Sequence, residues 1–218
     1  MTNSIPAFII PVLNRFDLLE RVLDSIDFPI DNILIIDNSN SYSLPEKYNH
    51  LNIHLLKMPS NFGVAASWNL GIKSYPHSDY WLIGSCDNIF KPGNLEAISK
   101  NSSKDKLLKT IGGFGMFSLG SNVVKTIGLF DENFYPAYYE DVDYESRITK
   151  FGIDAISYLD TDIEIFGSAT TVQSNPIFME KNNVTNESNY QYWNLKNSEG
   201  YAPKEWSLER RINNDWMA

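Results

Sequence analysis

Short apolar runs alternate with helix-spaced stretches through the first half of the chain. Ala7–Leu13 (AFIIPVL) reads as a buried strand, and Asn32–Asp37 (NILIID), Ile53–Met58 and Tyr80–Gly84 (YWLIG) repeat the type. Between the first two runs, Phe16, Leu19, Val22, Leu23 and Ile26 fall on one helical face. This predicts a helix with Asn14 as its N-cap and Asp17 at the third helical position. Val64 to Lys73 predicts a second helix. Strands alternating with helices point to an α/β fold, a Rossmann-like, mostly parallel mixed sheet flanked by helices.

The second half is less regular. Thr110–Leu119 holds the glycine-rich apolar stretch IGGFGMF, which predicts a strand with close backbone approach. A segment opened by Glu140-Asp141 has helical spacing up to Phe151-Gly152, and Ala155–Leu159 and Ile163–Phe166 predict two further strands. From about Thr170 the chain turns polar, Asn-rich and aromatic, with Tyr190, Tyr192, Trp193, Trp206 and Trp216. With no clear boundary or repeat, residues 1–218 are expected to form one domain, its core about 6–170 and its polar, aromatic segment 171–218. The ending Asn213–Ala218 carries no cap or stop pattern, which suits a domain cut from a longer polypeptide with further domains.

Composition narrows the partners. A net charge of −9 argues against nucleic acid or an anionic membrane as the main partner. A phosphate ligand stays open, because backbone amides and a metal can hold one locally. The single cysteine, Cys86, excludes an internal disulfide and a Cys-rich zinc site and fits a reducing compartment. The chain shows no secretory signal and no apolar run long enough to span a bilayer. A soluble, cytoplasmic protein is the expectation.

Ligands of open α/β sheets lie beyond the carboxyl ends of the strands, which singles out Asn14-Arg15, Asp37-Asn38 and Ser85-Cys86-Asp87. A G-x-x-x-x-G-K-[ST] loop is absent. The Gly113-Phe114-Gly115 pair neither continues as a dinucleotide fingerprint nor opens a helix. The densest chemistry is later, in DENFYPAYYEDVDYESR (131–147), where Glu140, Asp141 and Asp143 crowd together after an aromatic turn. Such carboxylates are costly to bring together unless something positive or proton-bearing meets them. They also suit a plain helix N-terminus, with Asp143 paired to Arg147 at i,i+4.

PVLNR (11–15), IIDNS (35–39), NFGVAASWNLGIK (61–73), an acidic site after the fourth strand and then EDVD (140–143) occur in this order. The set resembles the inverting GT-A-fold glycosyltransferases of the large family that includes rhamnosyl-, galactofuranosyl- and glucosyltransferases. The resemblance covers roughly residues 6 to 170, and FDENFYPAYYEDVDYESRITKFG looks most like the rhamnosyltransferase-type branch. It implies a UDP-sugar or dTDP-sugar donor and a glycan or glycoprotein acceptor. Pro11, Leu13, Asn14 and Arg15 would then pack on the base, and Asp37 with Asn38 would bind it. Asn61, Gly63 and Asn69 would line the nucleoside. Asp37 also suits a turn-forming Asx residue, and the other three a helix cap with one buried amide.

The same resemblance aligns Ser85-Cys86-Asp87 with the family's Asp-x-Asp metal site. The first carboxylate is missing, leaving Asp87 as the metal ligand for Mn2+ or Mg2+ with help from the diphosphate. Asp141 matches the general base, while Glu140 and Tyr139 would meet the acceptor. The lost carboxylate keeps two other readings open. One is a nucleotide-sugar-binding module without transfer activity; the other is a sugar nucleotidyltransferase, for which a triphosphate loop is missing.

Overall fold

The computed structural model describes residues 4–166 and 176–199. Its centre is a seven-stranded sheet in the order β3-β2-β1-β4-β7-β6-β8. These strands are β1 Phe8–Val12, β2 Ile33–Asp37, β3 Ile53–Lys57, β4 Tyr80–Gly84, β6 Leu107–Thr110, β7 Gly113–Gly120 and β8 Ile156–Tyr158. β7 alone runs against its neighbours; β1, β2, β3 and β4 pair in parallel, and so do β6 and β8. A small antiparallel pair, β5 (Asn88–Ile89) with β9 (Glu164–Ile165), stands beside the end of β4.

Strand alternation sends successive side chains to opposite faces, so the sheet builds two cores. Ile9, Leu34, Ile36, Trp81 and Ile83 meet helices α2 (Val64–Ser74), α4 (Ser121–Ile127) and α5 (Glu140–Phe151) through Trp68, Ile72, Val124, Tyr144 and Ile148. Phe8, Ile10, Ile33, Ile35 and Leu82 face α1 (Phe16–Asp24) and α3 (Asn94–Asn101) through Leu19, Val22, Leu95 and Ile98. Both faces are covered, which is why the central strands are apolar at nearly every position.

Several sequence expectations change in detail. The first helix begins one residue later, with Arg15 rather than Asn14 at its N-cap and no side-chain capping bond. Arg15 instead grips Asp17 through Nε and Nη2 at 2.8 and 2.7 Å. The glycine-rich stretch is a hairpin, in which Ile111-Gly112 turns β6 into β7 and Gly113 is left-handed at φ 60°. A glycine-rich apolar run conceals such a turn because its hydrophobicity continues through it.

The larger surprise is a 24-residue helix, α6, at Pro176–Glu199, where the sequence reads as a polar segment without a periodic apolar stripe. Polar side chains tie it down. Tyr192 Oη donates to Asp131 at 2.8 Å, Asn189 donates to the carbonyls of Ala137 and Tyr138, and Lys196 pairs with Asp131. Trp206, Trp216 and the chain ending lie outside the described residues. Among the described residues, no helix is long and apolar enough to cross a membrane.

Candidate functional site

The parallel register brings the polar strand ends to one edge. Val12 is level with Asp37 and Asp37 with Lys57, and the Asn38 N–H closes the pairing on the Val12 carbonyl at 2.9 Å. Pro11 and Leu13 are half-buried there and Asn14 is exposed. Arg15 is half-buried and pairs with Asp17.

Asp37 is fully buried and builds the turn after β2. Its Oδ1 accepts from the Ser39 N–H at 2.9 Å and the Ser39 hydroxyl at 2.7 Å; its Oδ2 accepts from the Tyr42 N–H at 2.7 Å. Burial alone would raise this carboxyl, but the donors from Ser39 and Tyr42 hold it below its usual value. The observed geometry is the Asx-type turn.

Asn38 organises the next loop. Its amide oxygen accepts from the Phe62 N–H at 3.0 Å, and its Nδ2 donates to Ser67 Oγ at 2.9 Å. Asn61 Oδ1 accepts from the Gly63 N–H at 2.9 Å. Gly63 is left-handed at φ 81°, and a Cβ there would lie 2.8 Å from the Pro136 carbonyl oxygen. Asn38, Asn61 and Gly63 therefore belong to one connected loop that touches the aromatic turn ahead of α5.

Asn69 does not join them. It is fully buried, and its amide bonds the Phe130 backbone in both directions at 2.8 and 2.9 Å and Glu132 at 2.9 Å. Cys86 likewise turns into the core beside Leu82 and Phe90, where burial pushes its thiol up to about 12. It has no nucleophilic character there.

At the end of β4 the Ser85 hydroxyl bonds Asp87 Oδ1, and Asn88 Nδ2 bonds Ser85 and the Gly115 carbonyl. Asp87 is a buried hard-oxygen donor whose Oδ1 is taken by the Ser85 hydroxyl. Among the described residues no group of three or more His, Cys, Asp or Glu side chains could hold a metal ion. This donor set fits a hard cation as one ligand among several, the others coming from a bound diphosphate.

The acidic helix starts from a strained turn. Tyr138 and Tyr139 both have positive φ, 80° and 73°, a conformation that costs a non-glycine residue about 1–3 kcal/mol. Just beyond them, neighbouring carboxylates have different surroundings. Asp143 is fully buried: Oδ2 accepts from Arg147 Nε at 2.9 Å, and Lys196 Nζ lies 3.2 Å from Oδ1, near enough for charge pairing but outside hydrogen-bond geometry. Arg147 also donates to the carbonyls of Ile127 and Leu129. The i,i+4 pair foreseen from sequence exists, but as part of a buried network joining α4, α5 and α6.

Asp141 is half-buried, and its Oδ1 accepts from the Val142 N–H at 2.8 Å. Burial raises its carboxyl, Glu145 adding to the rise while backbone amides and Lys109 oppose it. Glu140 is 6% exposed, and its Oε2 has no hydrogen-bond partner among the described residues. Burial, then the charge of Asp141, pushes it up to about 8. Sequence reasoning had no means of finding Lys196 or Lys109 near this helix, because each arrives from a distant element.

Residues 7–165 match the family described as glycosyl transferase family 2, and the chain belongs to that family. A search of curated proteins gives no match. Solved structures share the fold. A mannosyltransferase from Pyrobaculum calidifontis in complex with GDP-Man and Mn2+ superposes with a TM-score of 0.57 at 14% identity, over 78% of this chain and 59% of that one. S. aureus TarS gives 0.55 at 17% identity, over 77% and 37%. Glucosyl-3-phosphoglycerate synthase from Mycobacterium tuberculosis, in complex with Mn2+, UDP and glucosyl-3-phosphoglycerate, gives 0.57 at 12%, over 78% and 75%. The chain thus spans under two thirds of the length of the first two.

Proposed function

We propose that this protein is an inverting glycosyltransferase that moves rhamnose or a hexose from a UDP- or dTDP-linked donor to a hydroxyl of a glycan or glycoprotein. The observation that carries the reading is the contrast within α5. Asp143 is consumed by Arg147 and Lys196, whereas Asp141, two residues earlier, is half-buried, raised by burial and, among the described residues, bonded only through backbone amides of its own turn. A carboxylate kept from an ion pair and shifted upward suits a general base.

In this reading the nucleotide lies across the strand ends. Pro11, Leu13, Asn14 and Arg15 flank the base, Asp37 shapes the loop that receives it, and Asn38, Asn61 and Gly63 form the adjoining wall. Asp87 would hold Mn2+ or Mg2+, which supplies charge neutralisation for the departing diphosphate. Asp141 takes the proton of the acceptor hydroxyl as its oxygen attacks the anomeric carbon opposite the leaving nucleotide. Glu140 and Tyr139 border the acceptor. Family membership and the nucleotide and Mn2+ complexes of the fold neighbours support this.

The test is incubation with a panel of UDP- and dTDP-sugars, Mn2+ and glycan acceptors. Release of the nucleoside diphosphate with an inverted product supports transfer. Binding without release identifies a nucleotide-sugar-binding module, the reading favoured by the single carboxylate at Asp87. Pyrophosphate formed from UTP identifies a nucleotidyltransferase.

A further inference from the structure

Helix α6 lies beyond the residues matched by the family, so the match implies nothing about its role. Its docking is specific. Asn189 Nδ2 donates to the carbonyls of Ala137 and Tyr138 at 2.8 and 3.1 Å, Asn182 bonds the Tyr138 hydroxyl, and Lys196 Nζ reaches Asp131 at 2.6 Å. All of these ties except the last meet the strained turn immediately before Glu140. So fixed, α6 sets two rings against Tyr139: Tyr190 at 5.7 Å between centroids and Trp193 at 6.1 Å, inclined at 40° and 37°.

Two buried polar atoms, one in this cluster and one in the residue next to it, have no partner among the described residues. Glu140 Oε2 belongs to the residue that follows Tyr139, and Trp193 Nε1 to the ring packed against it. Buried polar atoms are nearly always satisfied, and leaving one unpaired costs about 1–3 kcal/mol. The indole N–H only donates, whereas the carboxyl accepts and, while it holds its proton, also donates. A cation could answer Glu140 but not the indole N–H; a hydroxyl can donate to the first kind of group and accept from the second. Saccharides add apolar C–H faces that lie against aromatic rings.

We infer that Tyr139, Tyr190 and Trp193 form the wall of an acceptor-saccharide subsite, with Glu140 Oε2 receiving one of the sugar's hydroxyls. The inference deepens the transferase reading by naming what lies next to Asp141, and rests on that reading for calling the sugar an acceptor. Tyr190 is 43% exposed, so its truncation leaves the core intact.

The experiment uses the full chain with UDP and Mn2+, the methyl glycosides of glucose, galactose, mannose, rhamnose and N-acetylglucosamine, and tetramethylammonium as a cationic control. Binding is followed by saturation-transfer NMR, and UDP affinity by calorimetry. At least one glycoside should bind; Tyr190→Ala should weaken it about ten-fold, Glu140→Gln should weaken it several-fold, and Tyr190→Ala should leave UDP affinity unchanged. The subsite is overturned if glycoside affinity is the same in both variants, if only tetramethylammonium binds, or if no glycoside binds to a protein that binds UDP. Glycoside binding that depends on Tyr190 in a protein blind to UDP keeps the subsite and removes the transferase reading.

Discussion

The backbone N–H of Val64 donates to the carbonyl oxygen of Pro136 at 2.8 Å, joining the first turn of α2 to the turn that delivers Glu140 and Asp141. Gly63 makes the junction possible, being left-handed and too close to Pro136 for any side chain. Gly63→Ala should therefore destabilise the fold by roughly 1–3 kcal/mol, the cost of a left-handed non-glycine residue, with the clash adding to it. Urea denaturation measures this. An unchanged midpoint would show that the junction yields freely.

Asp143→Asn should cost far more stability than a surface charge. From sequence, Asp143–Arg147 reads as an ordinary i,i+4 helix pair, worth under about 1 kcal/mol if exposed. In the structure both side chains are buried, at 0% and 2% exposure, with Lys196 alongside. Neutralising the carboxylate leaves the buried Arg147 without its counter-charge, at about 3–5 kcal/mol, while Lys196 keeps Asp131. Thermal denaturation of Asp143→Asn and Asp141→Asn side by side should show the large loss only in the first.

Stability should also fall with rising pH on the account of Glu140. Its carboxyl is pushed from an ordinary 4.5 up to about 8 when folded, so between those values the folded state binds the extra proton. Stability contributed there is full below the unfolded value and is lost as pH rises through the folded one. Asp131 works in the opposite sense. Burial would raise it, but Lys196, Asn133 and Tyr192 hold it below the usual range, so its contribution is lost as pH falls through its folded value. Glu140→Gln should flatten the decline between about pH 5 and 8 in denaturation midpoints; an identical pH profile would contradict the assignment.

The sheet was legible because its strands are apolar runs with polar residues at their carboxyl ends, and the Glu140–Phe151 helix because its acidic start and Gly152 stop are both explicit. The β6–β7 hairpin was not, since its turn is written in the same glycines and apolar residues as its strands. Helix α6 was invisible for a different reason: Asn189, Tyr192 and Lys196 anchor it to Asp131 and to backbone carbonyls more than fifty positions away, leaving no hydrophobic period to read. Asn69 and Cys86 carry the sequence context of site residues, yet their buried contacts, Asn69 with Phe130 and Glu132 and Cys86 with Leu82 and Phe90, assign their side chains to packing. Burial is the one property a motif does not display.

Metal binding should be coupled to nucleotide. With Asp87 as the single carboxylate at the end of β4, Mn2+ should bind weakly alone and markedly better with UDP, whose diphosphate supplies the remaining oxygens. Asp87→Ala should abolish that coupling in a calorimetric titration. Tight Mn2+ binding without nucleotide would contradict the one-carboxylate site.

The most direct test of the central claim compares wild type with Asp141→Asn on the UDP- or dTDP-sugar that the wild type turns over, with UDP affinity measured in parallel. The substitution keeps the shape of the side chain and removes its basicity. Transfer should fall by about 10²–10⁴-fold, while UDP binding and the denaturation midpoint stay close to wild type. Near wild-type turnover in Asp141→Asn would contradict its assignment as the base.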